Sequence, residues 1–344
     1  MRIIDRMEGP KLSILITTHN NERQIARCLD SVLAQELNVP YELIVSDDSS
    51  TDGTMAILRR YEKEHEGIVH VYSVCSDEIH PTMGLERAGW NKANVYMHAK
   101  GEYVVNLDGD DYLKGTDIYQ LQIEQLEKHP ECVACMQDLW MVNDGDEIKR
   151  GWQWGQRDLN TGDVIDFERY VLEHRDVSHP AFTMRRDKDT DMVARYGKFF
   201  DDEFNVMHHI QGGKIVYLQR ADYVYVQYHK SLNHNYSGYS RDARFLCLPL
   251  IYASFWPKHA VLFVKSNLND MQRYMRRVLQ DKSEIQADVK AYLLQFEGWV
   301  FRYLSKLSMS GRYRLWMVHQ YVLVLNTLKP KSDWPYRVLV RMLI

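Results

Sequence analysis

Cysteine is scarce. Five cysteines in 344 residues are too few for a disulfide scaffold, and the number is odd, so a reducing compartment is expected. Long apolar runs are missing as well. The longest, residues 246–264, is broken by Pro249, Pro257, Lys258 and His259, which excludes it as a membrane span. The amino end carries Asp5 and Glu8 and no small-residue cleavage site follows its apolar run, so no signal peptide is expected. There is no internal repeat and no low-complexity tract. What remains is an ordinary folded composition, 45% hydrophobic and 26% charged, which excludes wholesale disorder, a collagen-like repeat and a multi-span membrane protein. The length suits two or three domains of roughly 100–200 residues.

Charge is unevenly placed. The total is −4, but residues 301–344 hold eight basic residues and one acidic, a net +7, so the preceding 300 residues carry −11. Such asymmetry predicts a basic tail with an anionic partner. Aromatic residues reach 12%, with 22 Tyr and 8 Trp; bulky core packing explains this more simply than carbohydrate stacking or a membrane interface.

The first half alternates strand and helix signals. Residues 12–18 (LSILITT) form a continuous apolar run ending in polar residues, as a buried parallel strand does. Within Asn20-Asn21-Glu22 an Asn then reads as a helix cap with Glu22 in the first turn, and Ile25, Cys28, Leu29, Val32 and Leu33 follow at helical spacing. Further strands are expected at 41–46, 68–74, 102–107 and 132–142, with helices from about 50, 85 and 116 between them. Repeated β-α-β units imply a doubly wound, mostly parallel sheet flanked by helices. Later come a Trp-bearing loop over 145–163, a helix at 166–174, a strand at 181–185, a helix at 202–211, and two strands at 214–220 and 223–228. Beyond about residue 240 the pattern is all helical.

Ligands in such sheets bind beyond the carboxyl ends of the strands, and there the polar motifs cluster. Asp108-Gly109-Asp110-Asp111 puts three carboxylates in four residues. Carboxylates so close stay ionised together only beside a compensating cation or solvent. Oxygen-only donors select a hard divalent ion, Mg2+ or Mn2+; the plainer alternative is a solvated acidic turn. Asp47-Asp48-Ser49-Ser50-Thr51-Asp52-Gly53-Thr54 places an acidic pair at a second strand end. Its carboxylates suit a base imide or ribose hydroxyls, while Ser50 or Asp52 also suits a helix cap.

The stretches LSILITTHNNE, IVSDDSSTDGT and GEYVVNLDGDD resemble, in order and spacing, family 2 glycosyltransferases of the GT-A fold. The likeness covers about residues 10–235. Thr17 stands where that family usually has Pro, and His19 where it has Tyr. The resemblance implies that Thr17, His19, Asn20 and Glu22 line a nucleotide pocket, that Asp48 meets the base, and that Asn91 and Lys92 face the donor. It places Asp108 and Gly109 near the ribose and the metal, and makes Asp110 the ligand of a Mn2+ or Mg2+ ion bridging a diphosphate. His229 matches a family position near the metal or diphosphate; a surface-loop His is the alternative reading. The family's acidic pair at a helix start corresponds here to Asp201-Asp202, with Asp202 as the catalytic base and Asp201 the second choice; helix N-terminal charge is the plainer reading of both.

The function so implied is an inverting transfer of a hexose or N-acetylhexosamine from a nucleotide-sugar, expected to be UDP-linked, to a hydroxyl of a saccharide or lipid-linked saccharide in surface glycan synthesis. The alternatives are a nucleotide-sugar-binding scaffold without turnover and a sugar-phosphate nucleotidyltransferase, though the latter's Gly-rich phosphate loop is missing. The expected division is a GT-A catalytic domain over 1–238 and a helical region over 239–344, basic and amphipathic from about 300. That tail suits a membrane interface, packing on the core or a homodimer. Nucleic acid is not expected, because the acidic body would repel phosphate. The expected location is cytoplasmic, peripheral on the inner face of the membrane. Trp152 and Trp154 suit a sugar platform or a packed loop, and His179 the acceptor side. His208 and His209 face different ways along a helix and do not share a metal. Cys132 and Cys135 lie in a strand and belong to the core.

Overall fold

The computed structural model describes residues 9–74, 84–143, 152–155, 158–174, 181–187, 202–211 and 213–228, with single residues between 252 and 266. Outside the described residues lie Asp201, His179, His229, the side chains of Trp152, Trp154 and Asp202, and everything beyond 266, including the basic tail.

The first half follows the apolar runs. β1 (Leu12–Thr18), β2 (Tyr41–Asp47), β3 (Val69–Ser73) and β4 (Tyr103–Asp108) alternate with α1 (Ile25–Leu33), α2 (Thr54–Glu64) and α3 (Gly84–Met97). The strands lie side by side in the order β3-β2-β1-β4, all parallel. β1 is central, and Leu12, Ile14, Leu15 and Ile16 are each no more than 1% exposed, which is why its run is apolar on both faces. On α1 the i, i+3, i+4, i+7 set Ile25, Cys28, Leu29 and Val32 is fully buried against one face of these strands.

The second half adds β5 (Tyr112–Leu113), α4 (Ile118–Lys128), β6 (Cys132–Asn143), β7 (Trp152–Trp154), β8 (Val164–Asp166), α5 (Phe167–Arg169), β9 (Phe182–Arg185), α6 (Asp202–Ile210) and β10 (Lys214–Gln227). The sheet continues past β4 as β9-β6-β10-β5, with β7 on β6 and β8 on β10. The parallel ladders are the long ones, β6–β10 included, and the antiparallel additions are short strands. The mostly parallel α/β architecture is therefore as expected. A buried Gln122 on α4 ties the layers: its amide donates to the carbonyls of Cys135 and Ala181, and its oxygen accepts from the Thr183 hydroxyl at 2.7 Å.

Local expectations needed correction in four places. Asn20 is not a helix cap: its φ is +52°, and α1 starts only at Ile25 with Gln24 ahead of it. The two late strands are one, because residues 219–222 form an irregularity within β10 instead of a turn. There Arg220 bonds Asp222 and Asp117, and the Asp222 amide bonds Gln137. The Trp-bearing loop contains a strand, β7, antiparallel to β6. The helix after β8 is α-helical for one turn and π-helical over Tyr170–His174. Cys132 and Cys135 are fully buried free thiols in β6, as the core reading requires.

The chain divides into two compact units, 1–170 with 174–229, and 171–173 with 230–344. In the second, Tyr252, Trp256 and Phe263 form a buried aromatic cluster with ring centroids 5.2–6.0 Å apart. Among the described residues no helix is long and apolar enough to cross a membrane.

Candidate active site

Strand register builds the site. In the parallel ladders Thr17 stands opposite Asp108 on one side, and Thr18 opposite Asp47 on the other. The polar ends of β1, β2 and β4 thus finish at one edge of the sheet, where the helix-bound loops leave.

The first two loops are knitted together. The Asn20 amide donates to Ser50 Oγ at 2.8 Å, and Asn20 Oδ1 accepts from the Thr51 amide at 2.8 Å. The Asn21 amide donates to Thr54 Oγ1, and Glu22 Oε2 accepts from the Gly53 amide at 2.7 Å. Asn20 and Ser49 both have φ of +52°, a left-handed conformation that costs a non-glycine residue on the order of 1 kcal/mol and is held here by these cross-loop bonds. The side chains of Asn20 and Glu22 are therefore engaged in shaping the pocket edge. His19 is exposed, and its Nδ1 bonds the Asp48 carbonyl at 2.6 Å, so Nδ1 carries the proton in the neutral ring. Asp48 is 7% exposed. Asp47 accepts from the Ser50 amide and hydroxyl, so it shapes the turn. Asp52 accepts from the Thr54 amide and hydroxyl just ahead of α2, whose cap residue is Gly53.

From α3, Asn91 donates to the carbonyls of Ser46 at 3.0 Å and Thr18 at 3.4 Å, stitching the helix to the ends of β1 and β2. Its Oδ1 is buried without a protein partner, as is Asn106 Nδ2 on β4. Lys92 Nζ lies 2.7 Å from Asp108 Oδ1, and the Thr17 hydroxyl donates to the same oxygen at 3.1 Å. Lys92 is only 6% exposed, so this is an ion pair largely out of water.

The three carboxylates of the acidic turn have three different fates. Asp108 is paired with Lys92. Asp111 turns inward, where Tyr223 Oη and the Val226 amide both donate to it. Burial first, then the neighbouring Asp110 and Asp108 charges, pushes its carboxyl well above the usual range. Asp110 remains. Burial first, then the Asp108 charge, raises it to about 7, with Lys92 and Arg27 pulling the other way. Arg27 lies beside it: Nη2 donates to the Asp110 carbonyl at 3.4 Å and to the Tyr228 hydroxyl at 3.2 Å, with the guanidinium 4.2 Å from the Tyr112 ring centroid. Arg27 gives no sequence signal beyond being a basic residue on an exposed helix face. No cluster of three His, Cys, Asp or Glu fit for a metal occurs among the described residues. Two carboxylates with oxygen-only chemistry still suit a Mg2+-type ion, which takes its other ligands from water and phosphate.

Gly109 sits in a tight place. A Cβ there would lie 2.8 Å from Thr18 Cβ and Oγ1 and 3.1 Å from Ile25 Cδ1, while the Gly109 amide bonds the Thr17 carbonyl at 2.8 Å. Gly109→Ala is expected to destabilise by about 1–3 kcal/mol through overpacking, read as a lowered denaturation midpoint.

α6 is tied at its last turn. His208 Nε2 meets Asp187 Oδ2 at 2.8 Å, and the Tyr96 hydroxyl bonds both the Asp187 carbonyl and His209 Nε2. The two rings are edge-to-face with separate partners, so they do not share a metal. Arg186, next to Asp187, bonds the carbonyls of Glu102 and Gly101, which precede β4. The carboxyl end of α6 therefore lies toward the amino end of β4.

The family model "Glycosyl transferase family 2" matches residues 13–192, just over half of the chain. The chain belongs to glycosyl transferase family 2. The match takes in Thr17 through Asp110 and stops short of Asp201, Asp202 and His229. Poly(ribitol-phosphate) beta-glucosyltransferase of Bacillus spizizenii is 36% identical over 104 residues, 30% of this chain and 15% of that protein. Putative glycosyltransferase EpsE of Bacillus subtilis is 31% identical over 121 residues, 35% of this chain and 40% of that one. The chain thus spans less than two thirds of the length of either relative. Among solved structures, S. aureus TarS 1-349 in complex with UDP-GlcNAc matches with a TM-score of 0.56 at 17% identity, covering 94% of this chain and 91% of that one. That likeness bears on the fold, and the family 2 chain has the GT-A architecture.

Proposed function

We propose that this family 2 enzyme transfers a hexose or N-acetylhexosamine from a UDP-sugar to a hydroxyl of a polymeric or lipid-linked saccharide, with inversion at the anomeric carbon. The observation that carries the reading is the acidic turn closing β4, where the Asp110 carboxyl stands close to the Lys92-paired Asp108. Asp110 and the second oxygen of Asp108 would hold a Mn2+ or Mg2+ ion, with His229 as a further ligand. Such an ion, when bound, neutralises the diphosphate leaving group.

The chain's own residues do the rest. The Asp48 carboxylate accepts from the base imide, and Thr17, His19 and Gly109 line the nucleotide's path, with Asn20 and Glu22 holding the loop that carries them. Asn91 and Lys92 face the donor from α3, and Asn91 Oδ1 is buried without a protein partner. Asp202 takes the proton from the acceptor hydroxyl as that oxygen attacks, with Asp201 beside it. The direction of α6 supports this. The helix packs on β6 and β9 with its last turn toward the amino end of β4, and the reading takes its first turn, with Asp202, to face the strand ends that carry Asp108 and Asp110.

A polymeric acceptor is supported by the name of the Bacillus spizizenii relative. We assign catalysis to residues 1–238 and to the region 239–344, with its basic tail, a contact with anionic lipid surfaces or with a second copy. The test is a panel of UDP-sugars with Mn2+ and saccharide acceptors. UDP release that EDTA abolishes is expected with one donor. Tight UDP binding with no release from any donor and acceptor pair would instead identify a scaffold without turnover.

A further inference from the structure

We propose that Arg27 is a positioning residue of the transfer site, a clamp that fixes the main chain of the acidic turn against the end of β10. This rests on the reading that Asp110 holds the donor's cation. Three separate segments meet at one guanidinium: α1 supplies Arg27, the turn supplies the Asp110 carbonyl at 3.4 Å and the Tyr112 ring at 4.2 Å, and the chain just past β10 supplies the Tyr228 hydroxyl at 3.2 Å.

The choice of atoms matters. Arg27 bonds the backbone oxygen of Asp110, so the carboxylate stays open to a cation while its own main chain is held. The stack on Tyr112 fixes the plane of the guanidinium, so the two hydrogens of Nη2 are aimed at two acceptors from different segments. A lysine carries the same charge but neither stacks flat nor forks. On the other side of the turn Lys92 does a different job, pairing directly with the Asp108 carboxylate at 2.7 Å. The turn is thus gripped from both sides, by its side chain at Asp108 and by its backbone at Asp110.

Arg27 is exposed on α1 and belongs to no core cluster, so its replacement should leave the fold intact. The experiment uses the full chain and its Arg27→Gln, Arg27→Lys and Tyr228→Phe variants. UDP binding is titrated by calorimetry across a Mn2+ series and without metal. Arg27→Gln and Arg27→Lys are both expected to raise the Mn2+ concentration for half-maximal UDP binding by roughly tenfold or more, the scale of losing a residue that orients a metal ligand. Metal-free UDP affinity is expected to stay unchanged. Tyr228→Phe is expected to raise the Mn2+ requirement less, and to add nothing in an Arg27→Gln background, because the two act through one bond.

A wild-type Mn2+ requirement in Arg27→Lys overturns the clamp, since charge alone would then suffice. Equal weakening of metal-free UDP binding overturns it too. Should Arg27→Gln fail to fold, Arg27→Lys and Tyr228→Phe decide the matter alone. Wild-type UDP binding that ignores Mn2+ is a separate result, seen before any variant is made. It overturns the reading of Asp110, and the clamp falls with it.

Discussion

Asp110→Asn is expected to lower turnover by on the order of a thousandfold, equivalent to ~4 kcal/mol of transition-state stabilisation, while making the metal-free protein more stable at pH 8. Both effects have one cause. The Asp110 carboxyl is raised from an ordinary 3.8 to about 7, by burial first and the Asp108 charge second. Between those values the metal-free folded state keeps a proton that the unfolded chain gives up. Stability is therefore undiminished near pH 4, falls as pH rises, and levels off above about 7. The amide of Asn has no proton to lose and escapes that penalty. The variant should thus melt above the wild type at pH 8, with the gap closing toward pH 4, and Mn2+ should restore stability to the wild type alone. Melting curves at the two pH values, with and without Mn2+, check the stability arm, and UDP release checks the other. Full turnover in the variant would remove Asp110 from the mechanism.

How much of this could be read from the sequence depends on how local the cause is. β1, β2 and β4 were legible because a strand covered on both faces must be apolar throughout, and each run ends where its polar loop begins. That the three loops share an edge follows from parallel pairing alone. Asn20 was misread because its partners, Ser50 and Thr51, lie about 30 residues away; a cap rule sees only the residues that follow. The polar stretch at 219–222 looks like a turn in one dimension, and only the meeting of Arg220 with Asp117, 103 residues off, shows it as an irregularity within one strand. The acidic turn was found as a motif, but the different fates of its carboxylates were not. Asp111 is consumed by Tyr223, 112 residues later, and nothing in Asp-Gly-Asp-Asp marks which of the acids faces inward. Arg27 escaped for the same reason, since its partners come from two distant segments and its own surroundings on α1 are unremarkable.

Asp202→Asn is expected to reduce turnover by about 10²–10⁴-fold, the usual worth of a positioned general base, with UDP and Mn2+ binding unchanged. The split follows from where α6 is held. Its last turn is fixed by His208 on Asp187 and by His209 on Tyr96, near the amino end of β4. A nine-residue helix spans about 13 Å, so its first residue is delivered well away from that anchor. In the proposed reading this residue meets the acceptor, whereas the loops after β1, β2 and β4 hold the nucleotide. The loss should therefore fall on kcat, with donor affinity intact, and Asp201→Asn should cost much less. If Asp202→Asn keeps its turnover and Asp201→Asn loses it, the base is the residue just ahead of the helix. If both keep it, the proton leaves by another route and α6 serves only the fold. Tyr96→Phe offers an independent arm. It removes the bond that fixes His209 without touching either acid, so a loss of kcat there would show that the anchoring of α6 sets the position of the base.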